Sequence, residues 1–280
     1  MKLHTINTGL FKLDGGAMFG IVPKVIWNKL HPADENNLCN WAMRCLLIED
    51  GNRLILIDNG IGNKQSEKFF GYYQLSGDDS LQKSIEKLGF GMDDITDNLL
   101  SHLHFDHVGG AVKWNNDRTN YELTFNQANY WTHSKHWITA TQPNAREKAS
   151  FLKENIRPMQ ESGHLKFIDE ETFGYDNLTW QTSSGHTDSM IISKIKYKNR
   201  VICFVADMFP SIHHIPVNYH LGYDISPLVI MDEKAKFLKE AVENDYILFF
   251  EHDPINEACT VELTEKGYRP KDIFKLSDLG

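Results

Sequence analysis

Cysteine is scarce in this sequence. Its 280 residues include four cysteines, Cys39, Cys45, Cys203 and Cys259, and no two of them form a Cys-x-x-Cys pair. This excludes a disulfide scaffold, a cysteine-type zinc ribbon and a thioredoxin motif. Long apolar runs are also missing, because no window reaches the roughly 18 apolar residues that a membrane span needs. The opening residues MKLHTINTGLFKLDGG do not resemble a secretion signal, so we expect a cytoplasmic protein without a membrane partner.

Positive charge is the second deficiency. Lysine and arginine number 29 against 38 acidic residues, which gives a formal net charge of −9, and no basic run occurs. Nucleic-acid binding requires a basic surface, so the sequence argues against a nucleic-acid partner and favours a small-molecule substrate. The hydrophobic share of 41% and charged share of 24% are typical of a globular chain. We expect one domain over residues 1–280.

Apolar runs separated by turn residues predict strands. Met43–Glu49 and Arg53–Ile57 flank Asp50-Gly51-Asn52, which is a hairpin pattern. Further strands are predicted at 98–101, 178–182, 190–197, 201–206 and 246–250. Helical spacing predicts helices at 79–88 and 232–245, and a mostly helical insertion at about 126–162. Strands that alternate with helices, with some paired as hairpins, predict an α/β or α+β domain with mixed sheets.

Histidine is abundant, with 13 copies, and four metal-ligating residues lie within one short segment. Residues 101–110 read SHLHFDHVGG and contain His102, His104, Asp106 and His107. His102 and His104 are two residues apart, so on an extended segment both rings point the same way. We expect the chain then to turn, so that Asp106 and His107 face a second point, and a helix to begin at the glycines. Three imidazoles and a carboxylate this close can hold two metal ions.

Three distal ligands are predicted at strand ends. His186 follows the strand at 178–182, Asp207 follows the strand at 201–206, and His252 follows the strand at 246–250. A sheet can aim side chains from its strand ends at one edge. Asp58 also ends a strand, where it can serve as a plain turn cap.

The set HLHFDH, Gly185-His186-Thr187, Asp207 and His252, in that order, resembles the metallo-β-lactamase superfamily of hydrolases. The resemblance implies a four-layer αββα sandwich of two mixed β-sheets flanked by helices. It implies that two divalent cations, Zn²⁺ or alternatively Fe or Mn, are bound. The implied ligands of the first metal are His102, His104 and His186; those of the second are Asp106, His107 and His252; Asp207 bridges both. The resemblance also implies that Asp58 supports the metal loop, as the alternative to a turn cap.

A bridging aspartate, where true β-lactamases of the family usually have Cys or Ser, favours the lactonase, glyoxalase and phosphodiesterase branches. Asp14–Trp27 and Gln142–Ser150 resemble segments of quorum-quenching N-acyl homoserine lactonases and organophosphate-cleaving relatives. Some of these lactonases have Tyr three residues after the bridging Asp, whereas this chain has Pro210. Tyr223 is the candidate substitute. The predicted catalytic residues are therefore Asp106, Asp207 and Tyr223.

The expected reaction is lactone or ester hydrolysis by a water activated between two cations, with Asp207 orienting the water and moving its proton. The same centre could cleave a small phosphotriester or phosphodiester. A redox or sensing protein with two metals is the third alternative. It is less favoured, because the diiron members of the family usually carry a flavin domain and few residues follow His252. Phe19, Ile21, Val25 and Trp27 are expected either to pack internally or to line a substrate cavity or a homodimer contact.

Overall fold

The computed structural model describes residues 1–279 and contains two six-stranded mixed sheets. By contacts, the chain divides into two compact units. The first unit comprises Met1–Gly9 and Met43–Gly174, and the second comprises Leu10–Ala42 and the chain from Tyr175 onward. In chain order, the first eight strands are β1 (Lys2–Asp14), β2 (Leu38–Asp50), β3 (Arg53–Ile57), β4 (Asp97–Leu99), β5 (Val112–Trp114), β6 (Tyr121–Leu123), β7 (Asn129–Thr132) and β8 (Leu165–Phe167). The remaining strands are β9 (Leu178–Ser183), β10 (Met190–Tyr197), β11 (Arg200–Phe204), β12 (Ile247–Phe249), β13 (Ala258–Thr264) and β14 (Gly267–Phe274).

Eight α-helices accompany these strands in the described chain. They are α1 (Gly15–Phe19), α2 (Lys24–Trp27), α3 (Glu67–Tyr73), α4 (Leu81–Lys87), α5 (Phe105–Val108), α6 (Ser134–Thr141), α7 (Lys153–Glu161) and α8 (Pro227–Glu243). No helix within residues 1–279 is both long and apolar enough to cross a membrane. The predicted α/β class with two mixed sheets is confirmed.

The first sheet has the order β1-β2-β3-β4-β7-β8, and β5 pairs with β6 separately. The predicted hairpin is confirmed, because β2 and β3 are antiparallel and Asp50 pairs with Arg53 across the turn. Beyond β3 the sheet is parallel through β4, β7 and β8. Consequently β3 and β4 end at the same edge, where Asp58 and the histidine-rich segment begin. In the first unit the buried core includes Leu47, Leu56 and Tyr130.

The second sheet has the order β14-β13-β12-β11-β10-β9. β10 is antiparallel to both β9 and β11, whereas β11 and β12 are parallel. β9, β11 and β12 therefore run in one direction and end at one edge. Ligands of α/β sheets typically bind outside the carboxyl ends of strands. Helix α8 packs against this sheet, with contacts to β13, and buries Ile230, Phe237 and Leu238.

Three sequence predictions are corrected. The stretch 126–162 is not mostly helical: it begins with strand β7 in the first sheet and then forms α6 and α7. Tyr130 and Trp131 within β7 are buried, and large aromatic side chains suit a strand. Helix α8 begins at Pro227, five residues before the predicted start, because proline is favoured in the first turn of a helix.

The third correction concerns the glycines at 109 and 110. No helix begins there, because α5 covers Phe105–Val108 and a 3₁₀ turn covers Gly109–Ala111. Asp106 and His107 therefore lie inside a short helix. A Cβ on Gly109 would lie 2.1 Å from the carbonyl oxygen of Ile61, so glycine here permits two backbone segments to approach closely.

Candidate metal centre

The predicted ligands of the first unit converge around His102. The His102 and His104 rings are 4.5 Å apart, and the His102 and His107 rings are 3.8 Å apart. His102 Nε2 and His104 Nδ1 are separated by 3.1 Å, and Asp106 Oδ2 lies 3.8 Å from His107 Nε2. All four side chains are buried. The spacing of the motif therefore produces a dense cluster of nitrogen and oxygen donors.

Asp58 orients two of these histidines. Its carboxylate accepts hydrogen bonds from the Ser101 backbone N–H at 2.7 Å and from the Ser101 hydroxyl at 2.5 Å. The Ser101 oxygen then accepts from His102 Nδ1 at 3.0 Å, and Asp58 Oδ2 itself lies 3.1 Å from His107 Nδ1. Of the two roles predicted for Asp58, support of the metal loop matches these contacts. Because Nδ1 of each ring is held, Nε2 remains available for a metal.

His104 uses its ring the other way round. Its Nδ1 faces His102, whereas its Nε2 lies 3.9 Å from Oε1 of Glu147. Glu147 is buried, and its other oxygen accepts from the Asn144 amide at 2.5 Å. Glu147 belongs to the segment 142–150 that the sequence singled out. Sequence reasoning assigned no role to Glu147. The available signal was Asn144, three residues before it, which favours a local turn.

The predicted ligands of the second unit converge on Asp207. Its Oδ2 lies 3.1 Å from His186 Nε2, and its Oδ1 lies 3.1 Å from His252 Nε2. One carboxylate thus places a separate oxygen against each histidine. All three residues are buried. This arrangement is the one expected of a carboxylate that is shared by two candidate ligand histidines.

The outer nitrogens of these two histidines are also held. His186 Nδ1 lies 2.9 Å from Oδ1 of Asp224, and His252 Nδ1 donates to the Ala42 carbonyl at 2.8 Å. Asp224 is itself fixed, since its Oδ2 accepts from the Leu221 N–H at 2.8 Å. Ligand histidines characteristically have such a partner on the second ring nitrogen. Sequence reasoning missed Asp224, although it lies next to the Tyr223 that was singled out.

The electrostatics at His186 favour positive charge. Burial by itself lowers the pKa of His186, but Asp207 and Asp224 outweigh burial and raise the pKa to about 10. A pocket that stabilises a proton on Nε2 against Asp207 offers the same negative potential to a metal cation. The donor chemistry of both units, imidazole nitrogens with carboxylate oxygens, also suits Zn²⁺, Fe or Mn. The His and Asp clusters therefore fit metal ions.

The remaining predicted site residues are less involved. Tyr223 is 40% exposed, and Pro210 accepts a hydrogen bond from the His252 backbone N–H at 3.1 Å. His136, outside the predicted ligand pattern, is buried and accepts from the Leu103 N–H at 2.8 Å, which braces the histidine segment. In the Asp14–Trp27 segment, Phe19 and Trp27 are buried and stacked. Internal packing is therefore the role of these two residues.

A mixed α/β fold with His and Asp clusters at its strand ends defines a candidate metal-binding protein. The chain belongs to the Metallo-beta-lactamase superfamily, whose family model matches residues 44–252. This match confirms the resemblance inferred from the sequence. The matched segment contains every predicted metal ligand.

Individual relatives are similar to this chain as follows. A probable metal-dependent hydrolase from Staphylococcus aureus has 27% sequence identity and a TM-score of 0.87, over 98% of this chain and 96% of that chain. A dizinc quorum-quenching lactonase, AidC, has 20% identity and a TM-score of 0.76, over 98% and 95% of the two chains. An N-acyl homoserine lactonase from Bacillus thuringiensis is 28% identical over 144 residues, 46% of this chain. The chain spans about half the length, 53%, of this curated relative.

Proposed function

We propose that this chain is a binuclear metal-dependent hydrolase that opens lactones or cleaves related esters, and that N-acyl homoserine lactones are among its substrates. One observation carries the proposal: the Asp207 carboxylate lies 3.1 Å from the Nε2 atoms of both His186 and His252. A bridging carboxylate favours the lactonase branch over β-lactam cleavage. The similarity to a dizinc lactonase and to N-acyl homoserine lactonases supports the same substrate class.

Membership of the superfamily supports a ligand set for two metals in this proposal. The first metal would be held by His102, His104 and His186. The second metal would be held by Asp106, His107 and His252, and Asp207 would be the carboxylate shared by both. Zinc is the first metal to test, because nitrogen-rich ligation with carboxylates suits it, and Fe and Mn are the alternatives.

The chain's own groups have distinct tasks in the proposed reaction. Two bound divalent cations supply a water of lowered pKa and polarise the substrate carbonyl. Asp207 would orient the attacking water, accept the proton that the water loses, and donate that proton to the alkoxide released when the acyl C–O bond breaks. Asp106 serves as a ligand and catalytic carboxylate beside His107. Their burial excludes bulk water, which strengthens these electrostatic interactions.

Tyr223 is proposed to hold the substrate carbonyl in place of the tyrosine that Pro210 replaces. Its partial exposure leaves the phenol accessible to a substrate. If Tyr223 acts in this way, Tyr223→Phe lowers lactone turnover and leaves metal content unchanged. Turnover equal to that of the unmodified protein would contradict this role.

The test is metal analysis followed by turnover on four substrates: an acyl-homoserine lactone, a simple γ-lactone, an aryl ester and an aryl phosphotriester. We expect two metals per chain and lactone opening as the fastest reaction. Faster phosphotriester cleavage would keep the site and reject the lactonase assignment. A double variant, His102→Ala with His104→Ala, should lose both metal and activity, while His4→Ala, which removes a partner of Glu49 far along the sequence, should retain both.

The partner proposal is a homodimer through the segment that includes α2. Ile21 and Val25 in this segment are 73% and 75% exposed, next to the partly exposed Ile26 and Leu30. Apolar side chains grouped in this way are typical of a contact surface. Light scattering should give twice the monomer mass, and Val25→Glu should shift it towards the monomer. A monomeric parent protein would reject the proposal.

A further inference from the structure

Helix α8 has two adjacent residues of opposite charge that each make several hydrogen bonds to a loop. These residues are Glu233 and Lys234. Glu233 is half-buried, and Lys234 is fully buried. Neither residue belongs to a predicted ligand set. Both contact segments that adjoin a proposed metal ligand in the second unit.

Glu233 holds the loop that precedes His186. Its Oε1 accepts from the Ser184 N–H at 2.9 Å, and its Oε2 accepts from the Ser183 hydroxyl at 2.7 Å and the Gly185 N–H at 3.1 Å. Three donors on one carboxylate form a charge-assisted set, and such hydrogen bonds are stronger than neutral ones.

The same loop is fixed on its other side by the segment that enters α8. The Gly185 carbonyl accepts from the Ser226 N–H at 2.9 Å, and the His186 carbonyl accepts from the Ile225 N–H at 3.3 Å. The loop lies so close to α8 that a Cβ on Gly185 would be 2.4 Å from the Ile230 backbone. The position of His186 is therefore set by this helix.

Lys234 holds the segment that follows Asp207. Its Nζ donates to the carbonyls of His214 at 2.6 Å, Pro216 at 3.2 Å and Tyr219 at 2.6 Å. It also lies 5.1 Å from the centre of the Phe209 ring. Three carbonyls directed at one buried amine determine the path of residues 209–219.

We propose that Glu233 and Lys234 are positioning residues, which hold the His186 loop and the segment after Asp207 on one helix and so slow the loss of metal. This inference rests on the proposed metal centre. Its physical basis is geometric. When a support is lost, the ligand atom that it held can move by a fraction of an ångström, and this displacement weakens metal binding.

Glu233→Gln is the main variant. The amide has nearly the same shape, but it replaces one acceptor oxygen with an NH₂ group that faces a backbone N–H. Asp232→Asn is the matched control, since it neutralises an exposed acid one residue earlier on the same helix. Lys234→Met is the second variant, and the exposed Lys236→Met is its control.

Three measurements separate positioning from a merely structural role. The first is the rate at which zinc-loaded protein releases metal to a chelator. The second is the visible absorption spectrum of the cobalt(II)-substituted protein, which reports ligand geometry. The third is the thermal midpoint of the metal-free protein, which reports the fold alone.

We expect zinc release from Glu233→Gln to be roughly 10-fold faster or more, by analogy with other supporting partners of metal ligands. Its cobalt spectrum should change, its metal-free midpoint should stay close to that of the parent, and both controls should match the parent. Unchanged release and spectra in Glu233→Gln would overturn the inference, as would changes equal to those in Asp232→Asn. A parent protein that takes up no metal would instead defeat the proposed centre itself, so the two failures are distinguishable.

Discussion

Each candidate ligand histidine has one ring nitrogen directed at a supporting group and the other directed at the donor cluster. The supporting groups are Ser101 for His102, Glu147 for His104, Asp58 for His107, Asp224 for His186 and the Ala42 carbonyl for His252. A support that accepts a proton from one nitrogen leaves a lone pair on the other. The contacts at His102, His107, His186 and His252 therefore fix the tautomer that each of these rings needs in order to bind a metal, whereas the 3.9 Å between His104 and Glu147 is longer than a hydrogen bond.

Asp224→Asn tests this arrangement at His186. If the asparagine oxygen accepts from the Leu221 N–H, its NH₂ group faces His186 Nδ1 and favours the tautomer that has the proton on Nε2. That tautomer cannot bind a metal. We expect metal affinity to fall by about 10–100-fold with the fold retained. Competition with a chromogenic chelator measures the affinity, and Asp176→Asn, at an exposed position, is the control. Equal affinities in the two variants would contradict the prediction.

The burial of His214 predicts that the free energy of unfolding depends on pH. Burial, aided by the charge of Lys234, lowers the pKa of this fully buried ring to about 3. The unfolded chain binds a proton at His214 below its ordinary pKa of about 6.5, whereas the folded chain does not until about pH 3. The free energy of unfolding should therefore be fully retained above about pH 6.5 and fall as the pH decreases towards 3.

His214→Phe keeps an aromatic ring and removes this titration. At pH 5 the parent should have lost about 2 kcal/mol more of its free energy of unfolding than the variant. This value follows because pH 5 lies about 1.5 units below the ordinary histidine pKa. Urea unfolding at pH 7.5, 6 and 5 measures it. Parallel pH profiles for the parent and the variant would show that His214 does not contribute.

At the scale of elements, close packing of the β9–β10 connection on α8 makes Gly185 indispensable. An alanine Cβ would meet the backbone of Ile230 at 2.4 Å, so helix and loop must separate. We expect Gly185→Ala to cost about 1–3 kcal/mol, as overpacking typically does. Gly71→Ala in α3 is the control: nothing lies within 4 Å of its Cβ, and alanine favours helix. Urea midpoints that move equally in both variants would reject this packing argument.

The strands were predictable where apolar residues run together. The expected strands at 190–197 and 53–57 match β10 and β3 in both bounds. The β13–β14 hairpin was not predicted, because Gly267–Phe274 mixes polar residues with Pro270 and leaves much of its surface exposed. The candidate ligands were predicted from the histidine-rich motif and from the residues at strand ends, and their role as ligands stays a prediction. Of their supports, Asp58 was predicted as one of two roles, whereas Asp224 and Ala42 were not, because they lie far along the chain from the histidines that they hold.

At the scale of the whole molecule, the sequence predicted one domain, and contacts divide the chain into two compact units. The single-domain organisation stays a prediction. Composition alone could not reveal such a division, because two of its three boundaries fall inside the continuous strands β1 and β2, and only the boundary at 174/175 lies between strands. The sequence offers no glycine-rich or proline-rich segment at either position.

The net charge of −9 leads to a prediction about polyanions. Nonspecific binding of nucleic acid depends on release of counterions by basic side chains. We expect no change in the fluorescence anisotropy of a labelled single-stranded RNA on titration with the protein at roughly 50 mM salt. Electrostatic binding of nucleic acid is strong at such a low salt concentration. Binding that weakens steeply as salt is added would favour a nuclease over a lactone or ester hydrolase.

All four cysteines are buried free thiols, and burial raises the pKa of Cys39 to about 11. None of them belongs to a donor group found in the described chain. A cluster of imidazoles and carboxylates without sulfur suits several divalent first-row metals, so the availability of each metal helps to decide which one is bound. The metal found in a preparation is therefore expected to follow supply: cells grown with added manganese or iron should yield protein enriched in that ion, and exchange with zinc in vitro should need no reductant.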